Sequence, residues 1–540
     1  MNAFDWAVIG AYILLLVGFG WWLARSQRTL EDYYLGGKRV RWWQSGLSTM
    51  ATQLGAISFV SAPAFVAIKE GGGLKWLCYE FGVPIALILV MAVIIPILHA
   101  GRTVSIYEYL ERRFDGGVRI LVSLLFQIGR GLATAVSVVA GGIILSAALG
   151  MPTLAAIVLI GAITILYDVL GGIRVVIFSD VVQMLIILVG ILICGLTAVS
   201  IVGWGPAWSS VDPLRLQILD ISRWGLTPEG EYAFWPMVIG GIFLYASYYG
   251  CDQSQVQREL TIADVSGVRK SLMVNALGRF PMVLLYCVMG ILVGAVMVQP
   301  DSIAHVGEVT GIGTEQVQRE LAQNPDRMVP LFIIGFLPHG VIGFLFVAIM
   351  AALMSSLDSA LNSLSAVTMR DIYQCYVKPD GNSDHYLKIS KLLTVSWGVF
   401  CVAAACAFAE LGKAGQTTIE LINAVGSLLY GPIVAAFVLG MMTRWVSASA
   451  VKMGVVAGIT TNLLVWQLTE VSWLWWNGVG FVSSVAVAAL VSSLALEPPY
   501  SADDGVKHPS SWGWRLAYLA CLVYFFVIVG VCHLLEGMAR

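Results

Sequence analysis

The chain has 540 residues, 58% of them hydrophobic and 12% charged, with a mean hydropathy of +0.82 and a net charge of −2 at pH 7. That balance belongs to a chain whose main solvent is the bilayer, and it excludes a soluble globular protein. No basic block of the kind that binds a polynucleotide is present, so no nucleic-acid partner is expected.

Apolar runs of about 20 residues, the length that crosses a bilayer, fall at 5–24, 43–68, 76–98, 117–149, 152–170, 175–204, 235–250, 271–298, 329–369, 387–411, 418–442, 447–468, 474–496 and 513–535. They predict an all-α integral membrane protein with about 14 transmembrane helices, forming one transmembrane domain over 1–540. In the first run Asp5 stands ahead of the apolar stretch and the basic residues follow it, the reverse of a signal peptide, so it reads as an uncleaved span. The connections after the odd-numbered runs hold most of the 31 Lys and Arg, among them Lys38, Arg39, Arg41, Arg112, Arg113, Arg258, Arg269 and Lys270. The positive-inside rule then places both termini outside the cell, in a multi-pass plasma (cell inner) membrane protein. Most tryptophans, such as Trp21, Trp22, Trp42 and Trp43, flank runs and read as interface anchors. The nine cysteines form no CxxC pair and mostly lie in apolar runs, where they read as small buried hydrophobes.

There is no GxxxxGK[ST] loop, no HExxH and no GxSxG elbow, and the six histidines are scattered through connections and helix ends. No enzyme chemistry is expected, so the polar residues inside the runs carry the function. In WWQSGLSTMATQLGAISFVSAPAFVA, Gly46, Gly55 and Pro63 interrupt a run carrying Thr49, Thr52, Gln53 and Ser58, and carbonyls near Ala51 and Leu54 are expected to be released. The short seventh run, WPMVIGGIFLYASYYG, is expected to break at Gly240 and Gly241. Short, Gly-interrupted runs at matching places in two halves point to a midplane site between inverted repeats, here 43–204 and 235–442. The run 5–24 is then an extra N-terminal helix, and 447–535 supplies peripheral helices.

AALMSSLDSALNS, residues 351–363, is the most polar stretch inside a span. At 100° per residue, Ala352, Ser355, Ser356, Asp358, Ser359, Asn362 and Ser363 fall on one half of a helix and the leucines on the other. Hydroxyls and freed carbonyls can replace the water around a hard monovalent cation without burying many carboxylates. Ala351, Ser355, Ser359 and Ser363 also form a small-xxx-small row that packs helices closely. An ionisable residue such as Asp358 inside a span marks a pathway or a site.

EDYYLGGKRVRWWQSG, YDVLGGIRVVIFSDVVQ, DQSQVQREL, AALMSSLDSALNS and GPIVAAFVLGMMTRW, in that order over nearly the whole chain, resemble the sodium:solute symporter family, which includes the sodium/glucose cotransporters. The resemblance implies a LeuT-like fold of two inverted five-helix repeats and alternating access driven by sodium as the coupling ion. It also implies a sodium site made of the carbonyls of Ala51, Leu54 and Ala352 and the hydroxyls of Ser355 and Ser356. Some members bind a second cation through the residue matching Asp180 and hydroxyls one turn along the serine helix; Ser359 matches, whereas Asp358 replaces a serine. Asp358 could strengthen a cation site, carry a proton or pair with an arginine.

Residues aligning with the sugar-binding positions of the family are Ser58, Glu80, Tyr248, Arg279 and Asn423, with Arg279 replacing a lysine and Asn423 a glutamine. Gln53 joins them as a substrate candidate from the second run. Arg130, about 20 Å into its helix at 1.5 Å per residue, could clamp a substrate carboxylate or pair with Glu80 or Asp358. Sialic-acid transporters of the family look similar in placing an arginine there. Asp252 and Gln253 read as gating or capping residues, and Asp168 and Glu420 as solvated carboxylates near span ends. The expected function is sodium-coupled import of a small organic solute, carboxylate-bearing or sugar-like, without an obligate protein partner. Its rivals are proton coupling through Asp358 and Asp180, or a channel or solute sensor.

Overall fold

The computed structural model describes residues 2–24, 29–101, 103–227, 230–411, 418–494 and 511–539, and among these there is no strand. The helices that build the site are α1 (Ala3–Ala24), α2 (Trp42–Gln53), α3 (Ala56–Ala67), α4 (Leu77–Glu80), α5 (Gly116–Leu149), α6 (Thr153–Val202), α7 (Phe234–Gly250), α8 (Gln253–Leu260), α9 (Val265–Met297), α10 (Val341–Val367) and α11 (Thr418–Met442). Among the described residues eleven helices are long and apolar enough to span a bilayer, or twelve if α2 and α3 are taken as one bent span. The expected number was about fourteen. Two of the difference have a visible cause: runs 152–170 and 175–204 are the arms of one 50-residue element, α6, and α7 has only 17 residues. The arms of α6 meet at Gly172, whose φ of +54° only glycine adopts without strain.

α10 is the axis of the molecule. Nearly all of its residues from Ile342 to Val367 are buried, as a helix apolar on one face and polar on the other must be when it is surrounded by protein. It packs against α1, α3, α5 and α6. Its N-terminal end is capped by the first span: the buried Asp5 carboxylate accepts from the backbone N–H groups of Gly340, at 2.6 Å, and Gly343, at 3.0 Å.

The second run does break, at one of the three places expected. α2 ends at Gln53 and α3 begins after Gly55, with a bend of 49° between them. Gly46 and Pro63 do not interrupt it. A Cβ on Gly46 would lie 2.9 Å from Ser271 O, and Pro63 lies within α3 where Gly290 packs on it, so both mark close helix contacts.

The seventh run is likewise unbroken at Gly240 and Gly241. A Cβ there would meet Leu474 O at 2.4 Å and Tyr79 O at 2.8 Å, so these glycines let neighbouring backbones approach. The discontinuity falls ten residues later, at Cys251 and Asp252, between α7 and α8.

Candidate functional site

The bend between α2 and α3 faces the serine row of α10. A Cβ built on Gly55 would stand 3.1 Å from Ala352 O, 3.1 Å from Ser356 Oγ and 3.5 Å from Ala51 O. Three of the five expected sodium ligands, from two helices about 300 residues apart in the chain, therefore surround one small space that glycine leaves open. The fourth, the Leu54 carbonyl, accepts a hydrogen bond from Tyr286 OH at 2.8 Å, which fixes its orientation. The fifth, Ser355, donates its hydroxyl to Asp180 and keeps its lone pairs for a cation. Three neutral oxygens around one small space, with Leu54 O and Ser355 Oγ on the adjoining residues, are of the kind that suits a monovalent hard cation such as sodium.

Asp180 and Ser359, expected as second-cation ligands, do come together, around a residue that sequence reasoning left in a motif. The fully buried guanidinium of Arg258 pairs with Asp180 at 3.1 Å, donates to Ser359 Oγ, and bonds Ser48 Oγ through Nε at 2.7 Å. Ser48 in turn donates to Asp180 at 2.5 Å. Among the described residues no arginine bonds Asp358; it accepts from Tyr167 OH at 2.5 Å and lies 3.2 Å from Ser359 Oγ.

Gln53, Ser58, Glu80, Arg130, Tyr248, Arg279 and Asn423 all line one cavity of about 100 Å³, together with Leu54 and Gly55 at the bend and Ser356 of α10. Two ion pairs stand in its walls. Glu80 takes Arg279 Nε at 2.5 Å and Tyr245 OH at 2.9 Å, while Arg279 also donates to Gln53. Arg130 pairs with neither Glu80 nor Asp358. Its partners are Asp252 and Tyr248, whose OH accepts from Nη1 at 3.0 Å and whose ring lies 4.8 Å from the guanidinium. Gln53 Nε2 and Tyr79 OH, both buried and both on residues of the cavity wall, have no hydrogen-bond partner among the described residues. Buried polar groups in proteins are rarely left so, and a bound solute would satisfy them.

Three carboxylates differ from expectation or sharpen it. Asp252 caps α8 by accepting from Ser254 N at 2.8 Å, as a residue just before a helix should. Asp168 is not solvated: it is fully buried, four residues before Gly172. Glu420 is also buried, accepting from Tyr232 OH.

Comparison with known proteins agrees with this geometry. The model of the sodium:solute symporter family matches residues 33–458. The chain is 28% identical over 506 residues to a sodium/sialic acid symporter of Aliivibrio fischeri, covering 91% of this chain and 93% of that one. It is also 28% identical over 480 residues to a sodium/glucose cotransporter of Vibrio parahaemolyticus, covering 85% and 84%. Among solved structures, the substrate-bound outward-open state of a Na+-coupled sialic acid symporter superposes with a TM-score of 0.81 at 25% identity, covering 92% of this chain and 99% of that one. The chain belongs to the sodium:solute symporter family and is a multi-pass membrane transporter with a LeuT-like fold that moves a small-molecule solute with sodium as coupling ion.

Proposed function

We propose that the solute is a small organic acid, bound in the cavity beside Gly55 with its carboxylate on Arg130, and imported with one sodium held by the carbonyls of Ala51, Leu54 and Ala352 and the hydroxyls of Ser355 and Ser356. The observation that carries the reading is the cavity itself. It holds one arginine paired with Asp252, which is not among the cavity-lining residues, a second arginine paired with Glu80, which is, and two unpartnered donors on Gln53 and Tyr79. Guanidinium is the side chain suited to bidentate carboxylate recognition. Ser58, Tyr248 and Asn423 complete the polar wall. The kinship with sialic acid symporters supports the same class.

Arg258 supports one sodium rather than two. Its guanidinium already supplies the positive charge between Asp180 and Ser359, where a second cation would otherwise sit, and Asp358 reaches that contact through Ser359 Oγ. The two inverted halves are 43–204 and 235–442, and both termini face outward from the plasma membrane.

A monoanionic solute carried with one sodium is a neutral pair, so the membrane potential does no work on it. A tenfold sodium gradient, about 1.4 kcal/mol, then holds about tenfold accumulation. A neutral solute would add the charge of sodium crossing 100 mV, about 2.3 kcal/mol, and reach roughly 500-fold. The test is a thermal-shift scan of the protein in detergent, with sodium varied against potassium and then carboxylates, sugars and amino acids added. Ligands of the folded state raise its stability by mass action. A sodium-dependent gain from carboxylates that is lost in Arg130→Ala supports the reading, and a gain from neutral sugars alone rejects it.

A further inference from the structure

A continuous chain of polar contacts joins the solute arginine to the sodium serines through a helix of eight residues. Arg130 pairs with Asp252 at the break between α7 and α8. The other oxygen of Asp252, Oδ1, holds the first turn of α8, taking Ser254 N at 2.8 Å and Ser254 Oγ at 2.6 Å. One turn on, Arg258 donates through Nη1 to Ser254 O and, through its other nitrogens, to Ser48, Asp180 and Ser359. Asp180 accepts in turn from Ser355. Arg258, Asp180 and Ser355 are fully buried, so this end of the chain is not screened by water. Arg130 and Tyr430 line the solute cavity and also a smaller hollow of about 20 Å³ that has Asp252 in its wall, so the Arg130–Asp252 pair stands between the two spaces.

We infer that Asp252 is the resident occupant of Arg130, that a solute carboxylate displaces it, and that the displacement is relayed along α8 to Arg258 and sets sodium affinity. The inference rests on the reading that Arg130 meets the solute. Two electrostatic facts give the direction. Arg130 is shared between Asp252 and any incoming anion, and the charge of Asp180 is shared between Arg258 and Ser355. When Asp252 leaves Arg130, the hold on the first turn of α8 changes and Arg258 loosens from Asp180. More negative charge is then felt at Ser355, and sodium binds more tightly. By linkage, sodium raises solute affinity by the same factor. Asp252, Ser254 and Arg258 are thus positioning residues that couple the two sites, the physical content of symport here.

The decisive variant is Asp252→Asn, which keeps a good cap for α8 and removes the charge that competes for Arg130. Sodium midpoints are measured by thermal shift at constant ionic strength, without solute and with N-acetylneuraminate or pyruvate. Without solute, the variant should show a sodium midpoint lowered by about fivefold or more, the low end of usual coupling, and adding the carboxylate should lower it no further. A merely structural role for Asp252 would weaken sodium and solute together. A folded Asp252→Asn with the wild-type sodium midpoint overturns the relay. Should that variant not fold, Ser254→Ala removes one link only, and a solute-induced sodium shift equal to that of wild type overturns the relay equally. If wild type responds to neither carboxylate, the solute assignment fails, while the solute-free shift in Asp252→Asn still decides the relay.

Discussion

Replacing Gly55 by alanine tests the cation cradle with one carbon atom. Gly55 has φ −70° and ψ −159°, which alanine adopts without strain, so the bend between α2 and α3 survives. The added methyl stands 3.1 Å from Ala352 O and Ser356 Oγ and 3.5 Å from Ala51 O. Sodium has nearly the radius of calcium, whose oxygen ligands lie about 2.3–2.6 Å away. An ion touching those three oxygens and a carbon seated among them cannot share the space. At a sodium concentration about 100 times the dissociation constant, binding contributes about 2.7 kcal/mol to stability, and this is the amount Gly55→Ala should lose. In potassium the two proteins should melt together, apart from the few tenths of an ångström by which the neighbours must give. The assay is a melting curve against sodium with potassium as balance. If Gly55→Ala keeps the wild-type sodium midpoint, the cradle is in the wrong place and the ligand set fails with it.

Ser355→Ala should weaken sodium and solute binding by similar factors, read as parallel shifts in both midpoints; a change in solute affinity alone would separate Ser355 from the ion. Arg130→Lys keeps the charge but loses the planar fork, so affinity for a carboxylate should fall by about tenfold, or ~1.4 kcal/mol, and uptake of radiolabelled carboxylate by proteoliposomes checks it. Arg279→Met should leave Glu80 buried without its partner and destabilise the protein by about 3–5 kcal/mol, whereas the double change Arg279→Met with Glu80→Gln should recover most of that on melting. Saturating carboxylate applied with sodium to proteoliposomes on a capacitive electrode should give almost no steady current, because one sodium and one monoanion are neutral; a current of one charge per solute would require a second sodium.

Much of this site is legible because it depends on local rules. The polar stripe of α10 follows from 100° per residue, and the break at Gly55 from a glycine set among hydroxyl residues in an apolar run. Resemblance to the family supplied the positions of Ser58, Glu80, Tyr248, Arg279 and Asn423, and the cavity gathers all of them with Gln53 and Arg130. Partners were harder to read, because a one-letter code gives no distances. Arg130 could equally have met Glu80, Asp358 or Asp252, and Arg258 reaches Asp180 across 78 positions of sequence. Glycines misled for a related reason: Gly240 and Gly241 permit a close approach from neighbouring backbones, and Gly55 leaves a space open among three oxygens, yet the local sequence looks alike in both cases.

The residue that departs from the family pattern, Asp358, shows what such a pairing decides. Asp180 is matched by Arg258, but the hydrogen-bond partners of Asp358 among the described residues are a phenol and a hydroxyl. The hydroxyl of Ser359 has one proton, and it has a closer acceptor in Ser355 O, at 2.5 Å, than in Asp358 Oδ1, at 3.2 Å. A bond between Asp358 and Ser359 is then best made by a proton on the acid, with Tyr167 donating to its other oxygen. A neutral Asp358 also avoids a second unmatched charge in the core beside the buried pair. Asp358→Asn should therefore fold, bind sodium with the wild-type midpoint and transport. A loss of sodium binding in that variant, with Ser355 intact, would instead make Asp358 a cation ligand and return the second sodium to the cycle.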